Sequence, residues 1–369
     1  MAGKCNIQLR FGLVILGLAV LSCSPQLVKQ GEAPRNPIEI LDKSPRVYEI
    51  AYKSFADSLE TARASSYVVG SLGAGLFPGP RVEAALRDSE ATQGLDHREV
   101  AELEYIKATR RFEVGAYGAA ANHLKQAMAA DATYRPAYLL LGKMLLGRRA
   151  VEEACELFTK VLEQDSTDSE ALLGLARCHI LMGSFDEARD ELVDAVIFDR
   201  LNLEAWGLLA SMVDLQGCRL ADHDAPELGM VRKLRGRHFK LLVDESLRDC
   251  PVQATAWVAY ASERAVWKYE DKYKQYFGVT KYAPTYQEDV DCYMVLAAAW
   301  KTLAERDSAA CDASYLDYLD KVAEDGYLVS HVLFDHVCIQ APGAARFFTA
   351  DVIAKLRDYV NTYVIVPKS

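Results

Sequence analysis

Histidine, cysteine and closely spaced glycine are the residues of this 369-residue chain that could do chemistry, and their spacing decides what kind. A zinc hydrolase needs two histidines one helical turn apart around a glutamate, so that both rings face one metal. His331 and His336 instead flank Val-Leu-Phe-Asp335 on a predicted helix, where caps and hydrogen bonds are the expected roles. Asp222-His223-Asp224 reads as a solvated turn, and no Cys-x-x-Cys or Cys/His group has metal spacing. Gly70, Gly73 and Gly75 lie close together, but a phosphate cradle would follow a strand and precede Lys-Ser or Lys-Thr, and neither is present. There is no serine elbow. The expectation is a chain with no catalysis of its own, no cofactor and no metal.

Cysteine has another use at the N-terminus. Lys4 and Arg10 precede a charge-free apolar run, Phe11 to Ser22, which is short for a stable membrane span and reads as an export signal, 1–22. Its end, Ala19-Val20-Leu21-Ser22-Cys23, resembles a bacterial lipobox. That resemblance implies cleavage before Cys23, acylation of Cys23 (palmitate among the chains) and a water-soluble remainder held to a leaflet by several acyl chains. Ser24 after the cysteine favours, by the same resemblance, the outer membrane facing the periplasm. Without Cys5 and Cys23 seven cysteines remain, an odd number that leaves at least one thiol free. Cys155 and Cys178 fall inside predicted helices as small apolar filler, so disulfides are compatible with the sequence without being required.

The elements that would position any site are set by a period of 34. Ala108, Gly142 and Ala176 fall in one column; Gly115, Arg149 and Gly183 in a second; Tyr117, Val151 and Phe185 in a third. Ala120, Ala154 and Ala188 form a fourth column, and Leu124, Phe158 and Leu192 a fifth. Each unit has a helix-period apolar stripe on both sides of a short break, hence two antiparallel helices. One such hairpin cannot bury its stripe alone, and stacking closes the core. These columns, with Leu141-Gly142, Leu175-Ala176 and Trp206…Leu209-Ala210, resemble the tetratricopeptide repeat over three repeats and part of a fourth. The family's closing proline is absent from the three and appears only at Pro251. The expected fold is all-α: a tetratricopeptide-like helical-hairpin solenoid with divergent C-terminal hairpins and capping helices.

Around the three repeats of 101–202 the chain divides as follows. Residues 23–46 are a polar tether, and 47–100 hold N-terminal helices, with Val47, Ile50, Ala51, Phe55 and Leu59 marking an amphipathic one, and the glycine-rich apolar loop 66–80. Residues 203–267 read as a divergent repeat and a following helix: Trp257, Tyr260 and Ala261 come 51 residues after Trp206, which places a 17-residue insertion near 218–237 in loops or lengthened helices. Residues 268–369 hold a tyrosine-rich segment, an irregular hairpin (289–306 and 313–324) and the closing helices.

By the family resemblance the first helix of each hairpin lines the concave side. Tyr105, Thr109, Phe112, Leu139, Lys143, Leu146, Leu173, Arg177 and Ile180 would then face the groove. Lys143 and Arg177 share a column one repeat apart, which suits an extended peptide or helix bearing a carboxylate, although the asparagine of the family's carboxylate-gripping members is missing there. Both cations could equally be paired with Glu102, Glu104 or Glu170. With 17 acidic against 12 basic side chains in 101–202 and a chain net charge of -10, a nucleic-acid surface is excluded on electrostatic grounds. The expected function is a lipid-anchored scaffold or adaptor binding protein partners in an assembly, secretion or wall-remodelling complex of the bacterial cell envelope. The alternative is a periplasmic solute-uptake component holding a small ligand in a closed apolar pocket.

Overall fold

The computed structural model describes residues 36–55, 80–87, 94–221, 226–304 and 311–368. The export signal, Cys23, most of the tether, nearly all of the 66–80 loop and Asp222-His223-Asp224 lie outside the described residues. The chain forms two compact units. An array unit contains 80–87, 94–221, 283–286 and 327–368; a sheet unit contains 36–55, 226–282, 287–304 and 311–326.

The first described elements belong to the sheet unit. Helix α1 (Pro37–Asp42) starts at Asn36, whose side chain accepts the Ile38 N–H. The helix expected from Val47, Ile50 and Ala51 is strand β1 (Val47–Lys53) instead. The spacing of those three fits a helix, but it is not the pattern that decides the segment. Tyr48, Ile50 and Tyr52 alternate along the segment, and β-branched and aromatic side chains favour a pleated surface over a helix.

The array unit opens with α2 (Pro80–Arg87) and α3 (His97–Glu113), the latter begun by a reciprocal box in which Asp96 and Glu99 each accept the other's backbone N–H. With α3, α4 (Tyr117–Ala130) makes the first hairpin; α5 (Arg135–Gly147) and α6 (Val151–Gln164) the second; α7 (Ser169–Met182) and α8 (Phe185–Phe198) the third. Helix α9 (Leu203–Leu215) begins a fourth. The columns of the sequence now have physical meanings. Gly115, Arg149 and Gly183 turn each hairpin at φ 75, 61 and 84°, so Arg149 adopts a left-handed conformation that costs an L side chain about 1 kcal/mol. Ala108, Ala120, Ala154, Ala176 and Ala188 are 0% exposed, as are Leu124, Phe158 and Leu192. The Phe158 ring on α6 lies against two glycines: a Cβ on Gly142 of α5 would come 2.7 Å from Phe158 Cζ, and one on Gly174 of α7 2.5 Å from it. Asp131, Asp165 and Asp199, again 34 apart, follow the second helices and accept the N–H two residues on, from Thr133, Thr167 and Leu201.

After α9 and the short β2 (Cys218–Leu220) the chain returns to the sheet unit. Strands β3 (Gly229–Lys233) and β4 (His238–Asp244) pair antiparallel, and β1 joins β4 in parallel from Val47↔His238 to Lys53↔Asp244, giving the order β1-β4-β3. Helix α10 (Pro251–Tyr269) packs on this sheet, with Leu241, Ala261, Ala265 and Val266 closing over Leu41. Trp257, Tyr260 and Ala261 therefore do not begin another repeat, as their register suggests. They are buried beside the sheet, so closely that a Cβ on Gly229 would meet the Trp257 carbonyl oxygen at 2.6 Å. The insertion is accordingly much larger than 17 residues, and its strands escape sequence reading because β3 is only five residues long and β4 takes its parallel partner from β1, far away in the chain. Helices α11 (Lys272–Phe277), α12 (Tyr286–Ala304) and α13 (Ser314–Glu324) follow, and a disulfide joins Cys250 at the start of α10 to Cys311. Arg264, with Glu288 at 3.2 Å and Asp289 at 2.8 Å, is buried between α10 and α12.

Beyond Gly326 (φ 79°) the chain rejoins the array unit. Helix α14 (Leu328–Val332) runs through a wide turn, Leu333–Val337, into α15 (Cys338–Gln340); α16 (Ala350–Tyr359) and a second wide turn lead to β5 (Ile365–Pro367), antiparallel to β2. The α9 helix lacks a sequential partner, and this returning chain covers it: Trp206 meets Phe334 edge-on at 6.1 Å, with the Arg200 guanidinium 4.4 Å from one ring and 4.5 Å from the other. His331, Asp335 and Tyr359 form a buried network. His331 Nδ1 lies 3.0 Å from both partners, and Tyr359 donates to Asp335 at 2.6 Å. Burial opposes the Asp335 charge, but His331, Tyr359 and Arg200 outweigh it and hold the carboxyl down to about 2. These side chains fasten the closing helices. Arg357 on α16 grips Asp194 of α8 through both carboxylate oxygens, 2.5 and 2.8 Å away.

Candidate binding groove

Two adjoining cavities of about 340 and 430 Å3 run along the first helices of the second and third hairpins and α9, and both are lined by Lys143, Leu146 and Arg177. Their positions follow from helix capping. Asp168, fully buried, accepts the Ala171 N–H to start α7, and Asn202, one period later, accepts the Ala205 N–H to start α9. Asp168 is also bound by Arg135 through Nη2 at 2.9 Å and by its Nε, which ties the start of α5 to the start of α7. Burial opposes the Arg135 charge; Asp168 and Glu170 more than compensate and raise its pKa.

The electrostatics of the groove repeat like its helices. Lys143 Nζ lies 3.5 Å from Glu170, and Arg177 pairs with Glu204, so each cation meets an acid 27 residues ahead on the next first helix. Of the acids weighed from sequence, Glu170 is the one beside Lys143; Glu104 binds Lys107 and His123 instead. All four groove side chains are at least 36% exposed, so these pairs contribute only about 0–1 kcal/mol each. A ligand carboxylate can displace them at little cost to the fold.

The sequence-derived groove residues divide. Lys143, Leu146, Leu173, Arg177 and Ile180 line the cavities. Leu139 is 4% exposed and belongs to the buried core of the stacked hairpins. Tyr105 is half-buried against Tyr134, ring centroids 5.8 Å apart, and burial raises its pKa. Thr109 spends its hydroxyl on the Ile106 carbonyl, and Phe112 packs on Tyr117 at the first hairpin's turn. These three line neither cavity. What sequence reading missed is the wall supplied by Leu181, Leu201, Leu203, Glu204 and Leu208. Leu203, 83% exposed at the first position of α9, was the available signal: an apolar side chain where a helix start is usually polar.

Among the described residues no group of His, Cys, Asp and Glu is arranged to hold a metal, and no described helix is long and apolar enough to cross a membrane. No curated protein matches the chain in sequence. Several solved structures resemble it at low identity, among them the following. A MamA protein is 14% identical, with 64% of this chain and 96% of that one covered, at a TM-score of 0.30. A tetratricopeptide repeat protein from Parabacteroides merdae is 10% identical, with 76% and 90% covered, at 0.31. The first repeat domain of Spaghetti (RPAP3), bound to an HSP90 peptide, is 14% identical, with 32% and 94% covered, at 0.31. Scores this low bear on neither partner nor overall arrangement. Residues 145–212 match the tetratricopeptide repeat family model, across α6, α7, α8 and α9, and the repeat is that of a protein-interaction scaffold. The helices within 145–212 are tetratricopeptide repeats, and the hairpin before them repeats the same 34-residue columns.

Proposed function

We propose that the protein is a lipid-anchored scaffold of the bacterial cell envelope whose concave groove holds a peptide or helix of a partner protein bearing a carboxylate. The observation that carries this reading is the sharing of Lys143 and Arg177 by two adjoining cavities, one walled mainly by leucine and isoleucine and the other by leucines together with Glu170, Asp199, Asn202 and Glu204. Apolar walls supply contact, and two cations one repeat apart supply orientation. The cavities open along the groove, which suits a chain segment better than an enclosed small ligand. Export is supported by the Cys250–Cys311 disulfide, a bond that persists in oxidising compartments, and by the apolar run ending at Cys23.

The test of the groove is affinity capture from detergent-solubilised envelopes with the parent chain and with Lys143→Glu plus Arg177→Glu. Both positions are solvent-facing, so the double variant folds, and it is expected to lose the partners the parent recovers. Recovery of the same partners by both baits refutes the groove. Mass spectrometry of the mature N-terminal peptide tests the anchor: fatty acyl chains on Cys23 are expected, and an unmodified cysteine or a different cleavage site refutes it.

A further inference from the structure

We propose that residues 274–281 of the sheet unit form a membrane-contact surface that rests on an anionic lipid interface. The segment is built to project. Asp271 sits at φ 42°, a left-handed conformation rare outside glycine, and Gly278 at φ 71° turns the chain back after the six residues of α11. The root is firmly held: Lys272 reaches from α11 to Asp291 at 2.7 Å and to Glu263, and lies 4.8 Å from the Trp267 ring. Tyr273 is buried, with its ring 5.3 Å from Tyr282 and 4.9 Å from Phe277.

Beyond that root all eight residues from 274 to 281 are exposed. One flank of the segment's aromatic rings packs on Trp267, with Tyr276 5.5 Å and Phe277 6.3 Å away, and the other flank is open: Tyr276 is 44% exposed, Phe277 41% and Val279 49%. Lys274 and Lys281 bracket them, and no acidic residue occurs between Lys272 and Gln287, in a chain whose net charge is -10. Aromatic side chains beside lysines suit the headgroup region: the rings enter the acyl boundary while the ammonium groups stay among the phosphates. The charge is complementary to an anionic leaflet and opposite to that of the protein as a whole. The inference rests on this segment alone and not on the acylation of Cys23.

A local reporter tests it in the full chain. The Tyr276→Trp variant is mixed with vesicles of phosphatidylglycerol or of phosphatidylcholine whose acyl chains carry bromine, and its tryptophan emission is compared with that of the parent. Phe347→Trp, at an exposed site of the array unit, is the control. The expected result is a blue shift and strong quenching of the added indole on the anionic vesicles. Adding Lys274→Glu and Lys281→Glu should weaken the binding behind that signal at least about tenfold. No quenching, quenching equal to that of Phe347→Trp, or quenching indifferent to the charge reversal overturns the proposal, including in favour of a protein partner at this site. Because the difference between the variant and its parent reports on residue 276, it is independent of whether the N-terminus also anchors the chain.

Discussion

Gly174→Ala is the most direct challenge to the packing that sets the groove. In an exposed helix the change would be favourable, since alanine is a better helix former than glycine by about 1 kcal/mol. Here the added methyl would lie 2.5 Å from Phe158 Cζ, in a slot where the ring is 0% exposed and Gly142 closes the opposite side. Overpacking of this kind costs about 1–3 kcal/mol, which exceeds the propensity gain, so a net loss of about 1–2 kcal/mol is expected. Gly207→Ala is the counterpart. It sits in α9 with nothing within 4 Å of the new Cβ, and should stabilise by about 0.5–1 kcal/mol. The assay is equilibrium urea unfolding followed by far-ultraviolet circular dichroism, with midpoints compared at unchanged slope. Adding Phe158→Leu, which costs about 1–2 kcal/mol alone, should make the double variant less damaged than the sum of its parts. The reasoning fails if Gly174→Ala matches or exceeds the parent in stability, or if the two changes are additive. Since α5 and α7 carry Lys143 and Arg177, the same variant should also weaken partner capture.

Two further outcomes follow from charges and covalent links, beside the groove and membrane tests already described. Burial pushes Glu191 on α8 up to about 7, only partly opposed by His179 at 2.9 Å. A carboxyl more easily protonated when folded contributes stability that is present below about pH 4.5 and lost as pH rises through about 7. Glu191→Gln should therefore gain on the parent as pH rises between those values, by about 1 kcal/mol once solvent screening of this partly exposed group is allowed for, measured by urea unfolding across the range, and a pH-independent difference excludes the effect. Cys250→Ser with Cys311→Ser should destabilise the sheet unit by about 2–5 kcal/mol, read as the same shift that reductant produces in the parent; no response to either change would show that the bond does not form.

The hairpins were legible because their information is local. The 34-residue columns report which side chains meet within a turn or across one stacking step, and even the left-handed Arg149 keeps its place in a glycine column. The column shared by Lys143 and Arg177 was legible for the same reason, while its far wall at Leu201, Leu203 and Leu208 was not, because α9 is stacked there only by the tertiary fold. Leu139 shows the same limit in reverse: its place in the groove was inferred from family resemblance, and the packing of the stacked hairpins buries it.

What the sequence alone determined is the repeat, its turns, its small-residue contacts and its net acidic charge. Tertiary structure decided that β1 pairs with β4 across about 190 residues of chain, that α10 serves a sheet and not a repeat, and that α9 is covered by helices arriving after the sheet unit is complete. The physical reason is range. A helix satisfies its backbone hydrogen bonds within four residues, so its pattern is written where it forms, whereas a parallel strand or a split hairpin takes its partner from a distant segment that no local periodicity records.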